Sequence, residues 1–282
     1  MTAINFLCLS SLIFMLSCNG KQQEDEKMDK SENNLQPKII AHRGGAKLAP
    51  ENTLAAFKNA ISIGVDMIEI DVHLSKDSNI IVIHDATLNR TTDGTGEIKN
   101  LSLAEIKNYD AGSWFSKDFD NEKVPTLSEV LETINGKVVL LIEIKDGDER
   151  YPGLEKKIVE AVKNHDAVKW VIIQSFNKNS IIRIKKIYPE LVTFYLSGKT
   201  FDQFYSEILE KMKSNEKIEK QFDGIAASHS LLDANKVVIL HKADFKVFTY
   251  TVNKPQEMKN NIDIGVDGII TDSPDKLKAI LQ

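Results

Sequence analysis

The chain has 282 residues, 42% of them apolar and 27% charged, with 14 Gly, 7 Pro and 2 Cys. That length and apolar share suit one large domain or two small ones around a buried core, and they exclude collagen-like, low-complexity and wholly disordered chains. The 41 acidic residues outnumber 36 Lys and Arg for a net charge of −5, so there is no electrostatic footprint for nucleic acid; a small polar or metal-bound substrate fits better.

The first apolar run, residues 3–16 (AINFLCLSSLIFML), is only fourteen residues long. Crossing a bilayer takes about 20, so the run reads as the core of a signal peptide and not as a transmembrane helix. It closes on Leu16-Ser17-Cys18, which resembles a bacterial lipoprotein signal. On that resemblance residues 1–17 are removed and Cys18 becomes the lipid-modified first residue. Cys8 lies in the removed segment, which leaves Cys18 without a disulfide partner in the rest of the chain. Residues 18–36 are polar and free of aromatics, the composition of a disordered tether. The expected location is the bacterial cell envelope, with the membrane reached by the lipid anchor only.

From residue 37 to 282 short β-branched runs alternate with longer amphipathic ones. Strand-like runs lie at 39–42, 67–72, 80–84, 138–145, 171–174, 192–196, 224–227, 247–252 and 268–271. Helix-like segments at 53–62, 127–134, 153–164, 180–187 and 256–262 separate most of them. Such alternation predicts parallel strands with helical crossovers, and the continuous apolar runs predict strands covered on both faces. The α/β class and a length of about 245 residues fit a TIM (β/α)8 barrel; a doubly wound open sheet is the alternative. Nine strand-like runs compete for eight places, and 192–196 and 224–227 are the weakest of them. Only seven residues, 73–79, join the second and third runs, too few for a helical crossover, though an extended segment can still descend the barrel. Residues 86–125 have few apolar runs and read as an insertion after the third strand, with a short helix near 103–108.

Ionisable residues close four of the strand-like runs: His42-Arg43, Glu69 and Asp71, His84-Asp85, and Glu143 with Lys145. Barrel enzymes place their active sites at those strand ends. Glu69 and Asp71 are two apart and share one side of their strand, roughly 7 Å apart along it, while Ile68, Ile70 and Val72 face the helices. Burying several carboxylates together is costly unless a divalent cation is present, and all-oxygen ligation suits calcium or magnesium over zinc. His73, His165, His229 and His241 have no such setting and read as structural or exposed. Asp66 and Asp267, each two residues after a Gly, read as turn residues. Asn52-Thr53 reads equally as a helix N-cap or as part of the site.

At these positions the sequence resembles the glycerophosphodiester phosphodiesterase family. The resemblance rests on His42-Arg43-Gly44 with Ala49-Pro50-Glu51-Asn52-Thr53, on Glu69-x-Asp71-Val72, on His84-Asp85 with Arg90-Thr91-Thr92, on Ile142-Glu143-Ile144-Lys145, on Gln174-Ser175-Phe176, on Tyr250-Thr251-Val252-Asn253 and on Gly265 to Asp272. It implies a barrel phosphodiesterase with one divalent cation, Ca²⁺ or Mg²⁺, held by Glu69, Asp71 and Glu143. His42 and His84 are the implied acid/base pair, in either order. Arg43 and Lys145 are implied to neutralise the phosphoryl oxygens, Glu51 to orient these groups, and Phe176 and Tyr250 to line the mouth. Tyr250 stands where the family more often has Trp.

The expected reaction is hydrolysis of a small-molecule glycerophosphodiester to sn-glycerol 3-phosphate and an alcohol. Three alternatives stand beside it: a lysophospholipase D-like enzyme, for which Trp114, Phe115 and Phe119 would supply an apolar surface, a membrane-tethered binding protein without catalysis, and a metal-dependent sugar isomerase.

Overall fold

The computed structural model describes residues 36–282. The signal segment, Cys18 and all but the last residue of the tether lie outside the described residues.

Nine strands form one sheet: β1 Lys38–Ala41, β2 Met67–Leu74, β3 Ile80–Val82, β4 Val139–Ile144, β5 Val171–Ser175, β6 Val192–Ser197, β7 Gly224–Ser228, β8 Lys246–Tyr250 and β9 Gly268–Thr271. Their order is β1-β9-β8-β7-β6-β5-β4-β2-β3, and β1 also pairs with β2. Eight parallel strands therefore close a ring, as the alternation predicted. The helices are α1 Leu54–Ile63, α2 Leu103–Ile106, α3 Leu127–Ile134, α4 Leu154–Asn164, α5 Lys178–Ile187, α6 Phe201–Lys213, α7 Ala234–Lys242, α8 Pro255–Asp263 and α9 Pro274–Leu281. Thr53 caps α1 by accepting from the Ala56 N–H, and Gly64 ends it in the left-handed region at φ 77°.

The supernumerary run is β3, and both β6 and β7 belong to the ring. β2 continues past the barrel rim to Leu74, and β3 folds back on it antiparallel, with Val72 opposite Val82 and Leu74 opposite Ile80. The five residues between them close a hairpin, in which the Ser75 N–H donates to the Asn79 carbonyl at 2.9 Å. An apolar run carries no mark of its direction, so the descending extended segment expected from sequence is replaced by this hairpin. The insertion that follows has its own small core of Ile81, Ile83, Leu88, Ile98, Ile106, Ala111 and Val124.

Inside the ring, Ile40, Met67, Leu141, Phe194, Phe248 and Ile270 fill the lower layer. Phe194 and Phe248 stack with centroids 4.2 Å apart. Gly224 and Gly268 make room for them: a Cβ at Gly224 would lie 2.4 Å from the Phe194 ring. Outside the ring, Ile68, Ile70, Val72 and Ile142 pack against helix residues such as Phe57, Leu131 and Ile158. The hydrophobic effect thus packs both faces of the ring, and the buried charged groups of the ring strands gather toward the C-terminal half of the ring.

Three aspartates just before strands fasten the opposite end. Asp66 accepts from the Ile39 N–H at 2.9 Å, Asp223 from Thr193 at 2.8 Å and Asp267 from Val247 at 2.8 Å. Asp66 and Asp267 are strand-entry acceptors, far from any ligand role.

Candidate active site

Beyond Ala41 the chain turns sharply through His42–Gly44, with Arg43 at φ 51° and Gly44 at φ 84°. A side chain at Gly44 would meet the Ala56 Cβ at 2.8 Å, so the turn needs glycine both for its backbone and for its contact with α1. The turn aims the Arg43 N–H at Glu69 Oε2 (3.0 Å) and its Nη1 at Glu51 Oε1 (2.8 Å). Arg43 Nε lies 3.4 Å from Asp71 Oδ2. Asn52, at φ 59°, donates to the same Asp71 oxygen at 2.8 Å. Asn52 therefore serves the site and its neighbour Thr53 caps the helix.

Glu69, Asp71 and Glu143 are all buried, and one oxygen from each lies within 4.8 Å of the others. Strand register produces this cluster, because Asp71 pairs with Glu143 across β2 and β4. Lys145 bridges Asp71, at 2.9 Å, and Glu143. Burial, then the adjacent Asp71 charge, push the Glu69 carboxyl up to about 8. Burial also raises Glu143, with Asp71 adding to it against Lys145. For Asp71 burial acts upward too, but Lys145 and Arg43 outweigh it and hold the group well below the usual carboxylate range. Lys145 stays above its ordinary value because Asp71 and Glu143 outweigh burial.

Each site imidazole has a carboxylate on Nδ1. His42 Nδ1 is 2.6 Å from Asp272, whose other oxygen accepts from Asn253 Nδ2 at 2.6 Å. His84 Nδ1 is 2.7 Å from Asp85. The descending β3 hairpin delivers His84 to the level of Asp71, where the Ile83 N–H donates to the Asp71 carbonyl at 3.0 Å. Asp85 is also gripped by Arg90, whose Nε and Nη2 donate at 2.8 and 3.0 Å. The same guanidinium makes a second fork onto Glu51 at 2.8 and 2.9 Å.

The two dyads differ electrically. Burial pushes His42 down, but the Asp272 hydrogen bond and the Glu69 charge more than offset it, and its pKa stands above the ordinary histidine value. Burial lowers His84, and Lys145 and Arg43 reinforce that against Asp71 and Asp85.

The cavity between these groups has a volume of about 220 Å³. His42, Arg43, Glu69, His84, Glu143 and Lys145 form its polar side, and Phe176, Leu196, Tyr250 and Ile270 its apolar side. Phe176 and Tyr250 meet edge to face at 5.8 Å, and Phe176 is 51% exposed at the rim. The Tyr250 hydroxyl donates to the Ser197 carbonyl at 3.1 Å, and burial, helped by Glu143, pushes it up to about 12. A larger hollow of about 400 Å³ lies beside the insertion; Lys107 and Glu129 there are already paired.

The cavity thus gathers the site residues singled out in the sequence, apart from Cys18, which lies outside the described residues. Asp71 sits behind its floor, and Glu51 bridges Arg43 and Arg90 behind its wall. Asp272, Asn253, Asp85 and Arg90 were not singled out for roles. His73, expected to be structural, is buried and holds the His84 carbonyl through Nε2 at 2.9 Å and the Tyr151 hydroxyl through Nδ1 at 2.8 Å. His165 bonds Ser128 and His241 bonds Asp267, both away from the cavity.

A closed barrel with a buried carboxylate cluster, two fixed cations and two carboxylate-backed imidazoles around one cavity is the equipment of an enzyme acting on a phosphate ester. Residues 42–276 match the Glycerophosphoryl diester phosphodiesterase family. A glycerophosphodiester phosphodiesterase of Caldanaerobacter subterraneus subsp. tengcongensis is 42% identical over 240 residues, 85% of this chain and 95% of that protein. One from Bacillus subtilis is 34% identical over 251 residues, covering 84% of this chain and 83% of its own length. A phosphodiesterase of Oleispira antarctica, solved in complex with the product sn-glycerol-3-phosphate, superposes with a TM-score of 0.76 at 32% identity, over 87% of this chain and 97% of that one. The chain belongs to the glycerophosphoryl diester phosphodiesterase family.

Proposed function

We infer that the protein hydrolyses glycerophosphodiesters to sn-glycerol 3-phosphate and an alcohol. The observation that carries this reading is the convergence on one cavity of His42 and His84 with Glu69 and Glu143, the two members of the Glu69, Asp71 and Glu143 cluster that line it.

The cluster fits a divalent cation. Its donors are all oxygen, the choice of calcium or magnesium. Three buried carboxylates crowd together there, and burial, then the adjacent Asp71 charge, push the Glu69 carboxyl up. A divalent cation offsets that crowding of negative charge and attracts the anionic phosphodiester. Glu69, Asp71 and Glu143 would hold the ion. When bound it supplies charge stabilisation at the phosphoryl group.

The chain's own groups divide the proton transfers. His84, biased toward the neutral form by burial and by its cationic neighbours, accepts a proton of the attacking water at Nε2. His42, biased toward its protonated form by the Asp272 hydrogen bond, donates from Nε2 to the leaving alkoxide. The phosphorus–oxygen bond to the nucleophile forms as that to the alcohol breaks. Arg43 and Lys145 face the oxygens on which charge builds.

A cavity of about 220 Å³ is smaller than those for drug-sized ligands, roughly 300 Å³ and above. That favours a glycerophosphate head over an acyl-bearing lysophospholipid. The half-exposed Phe176 and the Trp114 surface, 42% exposed, are what the lysophospholipase D-like reading would use. Retention of both imidazoles speaks against a binding protein without catalysis. A panel of glycerophospho-alcohols and lysophospholipids, read through coupled glycerol 3-phosphate detection, tests the choice. Faster turnover of lysophospholipids would overturn it.

We also propose that residues 1–17 are a signal peptide, residues 18–36 a tether, and Cys18 the lipidated residue that holds the barrel domain in the bacterial envelope. The support is the short apolar run ending in Leu16-Ser17-Cys18. Among the described residues no helix is long and apolar enough to cross a membrane. An inhibitor of lipoprotein signal cleavage should cause the unprocessed precursor to accumulate; normal maturation in its presence would refute the anchor.

A further inference from the structure

Asp71, Glu143 and Gln174 stand side by side on β2, β4 and β5, since Asp71 pairs in register with Glu143 and Glu143 with Gln174. The third member of this row is a neutral amide. Gln174 is 1% exposed and lines the cavity. Its amide nitrogen reaches Glu69 Oε1 at 3.5 Å, the outer edge of hydrogen bonding. Its amide oxygen is buried and has no hydrogen-bond partner among the described residues. Buried polar atoms are nearly always paired, so this oxygen calls for a partner that the chain itself does not supply.

We propose that Gln174 is a fourth protein donor to the divalent cation, its amide oxygen facing the ion that Glu69, Asp71 and Glu143 hold. This rests on the cation reading above. In the orientation the structure shows, the amide nitrogen is turned to Glu69 Oε1 and the oxygen is the end left for the ion. Amide and carboxylate oxygens are the mixture that calcium accepts in sites of 6–8 ligands. A neutral fourth donor also adds no further negative charge at a site that must accept an anionic diester.

The test uses the full chain after chelator treatment, titrated calorimetrically with Ca²⁺. In parallel it is loaded with Tb³⁺, whose luminescence lifetimes in H₂O and D₂O count bound waters. Wild type should bind one Ca²⁺. Absence of binding would overturn the cation reading itself, and the proposal with it, which separates that failure from failure of the proposal alone. Q174L should weaken Ca²⁺ by about tenfold or more and add one water to Tb³⁺. Q174E, which keeps an oxygen at the position, should bind Ca²⁺ at least as tightly as wild type with no added water; it also carries the test should Q174L fail to fold. Unchanged affinity and hydration in Q174L would overturn the proposal. So would a Q174E as weak as Q174L, because Gln174 would then act only as an N–H donor to Glu69.

Discussion

His42 Nδ1 lies 2.6 Å from Asp272 Oδ1, and the partner behind that carboxylate is the neutral Asn253 amide. Asp272 therefore keeps its negative charge available to the imidazole. Asp85, behind His84, is instead neutralised by the Arg90 fork. With burial, Lys145 and Arg43 lowering His84, the two similar dyads are biased in opposite directions, one toward the acid and one toward the base.

The acid assignment predicts a dependence on the leaving group. H42A should lower kcat for an alkyl glycerophosphodiester by about 10²-fold or more, and D272N by a smaller factor in the same direction. A p-nitrophenyl phosphodiester leaves without protonation, so both variants should lose far less on it. Equal losses on the two substrates would remove His42 from the acid role.

Removing Arg90 should alter the pH profile. In R90A the Asp85 charge is no longer offset and raises the His84 pKa. The base must be neutral to act, so the acidic limb of kcat/KM should move to higher pH by on the order of one unit. Activity on the alkaline plateau should change much less. A profile whose acidic limb stays in place would show that Arg90 does not tune His84.

At the other end of the barrel, Asp267 accepts from Val247 N–H, His241 and Lys246. Burial pushes its pKa up, but these donors outweigh it and the folded value is lowered. A group with a lowered folded pKa stabilises above its unfolded value, near pH 4, and loses that contribution as pH falls through the folded value. D267N should cost about 1 kcal/mol at pH 7 in urea unfolding, with a smaller deficit near pH 3 and kcat unaffected.

G224A places a methyl group 2.4 Å from the Phe194 ring and 2.8 Å from the Lys246 carbonyl. The backbone cannot recede, so the variant should lose about 1–3 kcal/mol. A thermal midpoint equal to wild type would contradict the packing described for the lower barrel layer.

Much of the site was legible because apolar strands ended in charges that a stable barrel does not need. Glu69 and Asp71 could be placed on one face by their spacing alone. Asp272 carried the same signal, an ionisable residue directly after the run 268–271, and the rule applied to His42 would have found it. Arg90 and Glu51 gave no such signal, since their pairing spans 39 residues and depends on how the insertion folds over the β1 turn. The direction of β3 was equally hidden: Ile80 to Val82 is as apolar as a ring strand, and only the shortness of the connection hinted at a hairpin.

Glu69, Asp71 and Glu143 are proposed to hold a divalent cation that the reaction requires. Turnover of a glycerophosphodiester by the full chain, measured before and after EDTA treatment and again after adding Ca²⁺ or Mg²⁺, tests it most directly. Activity should vanish with the chelator and return with the ion, and E143Q should not recover. Undiminished turnover in EDTA would contradict the account.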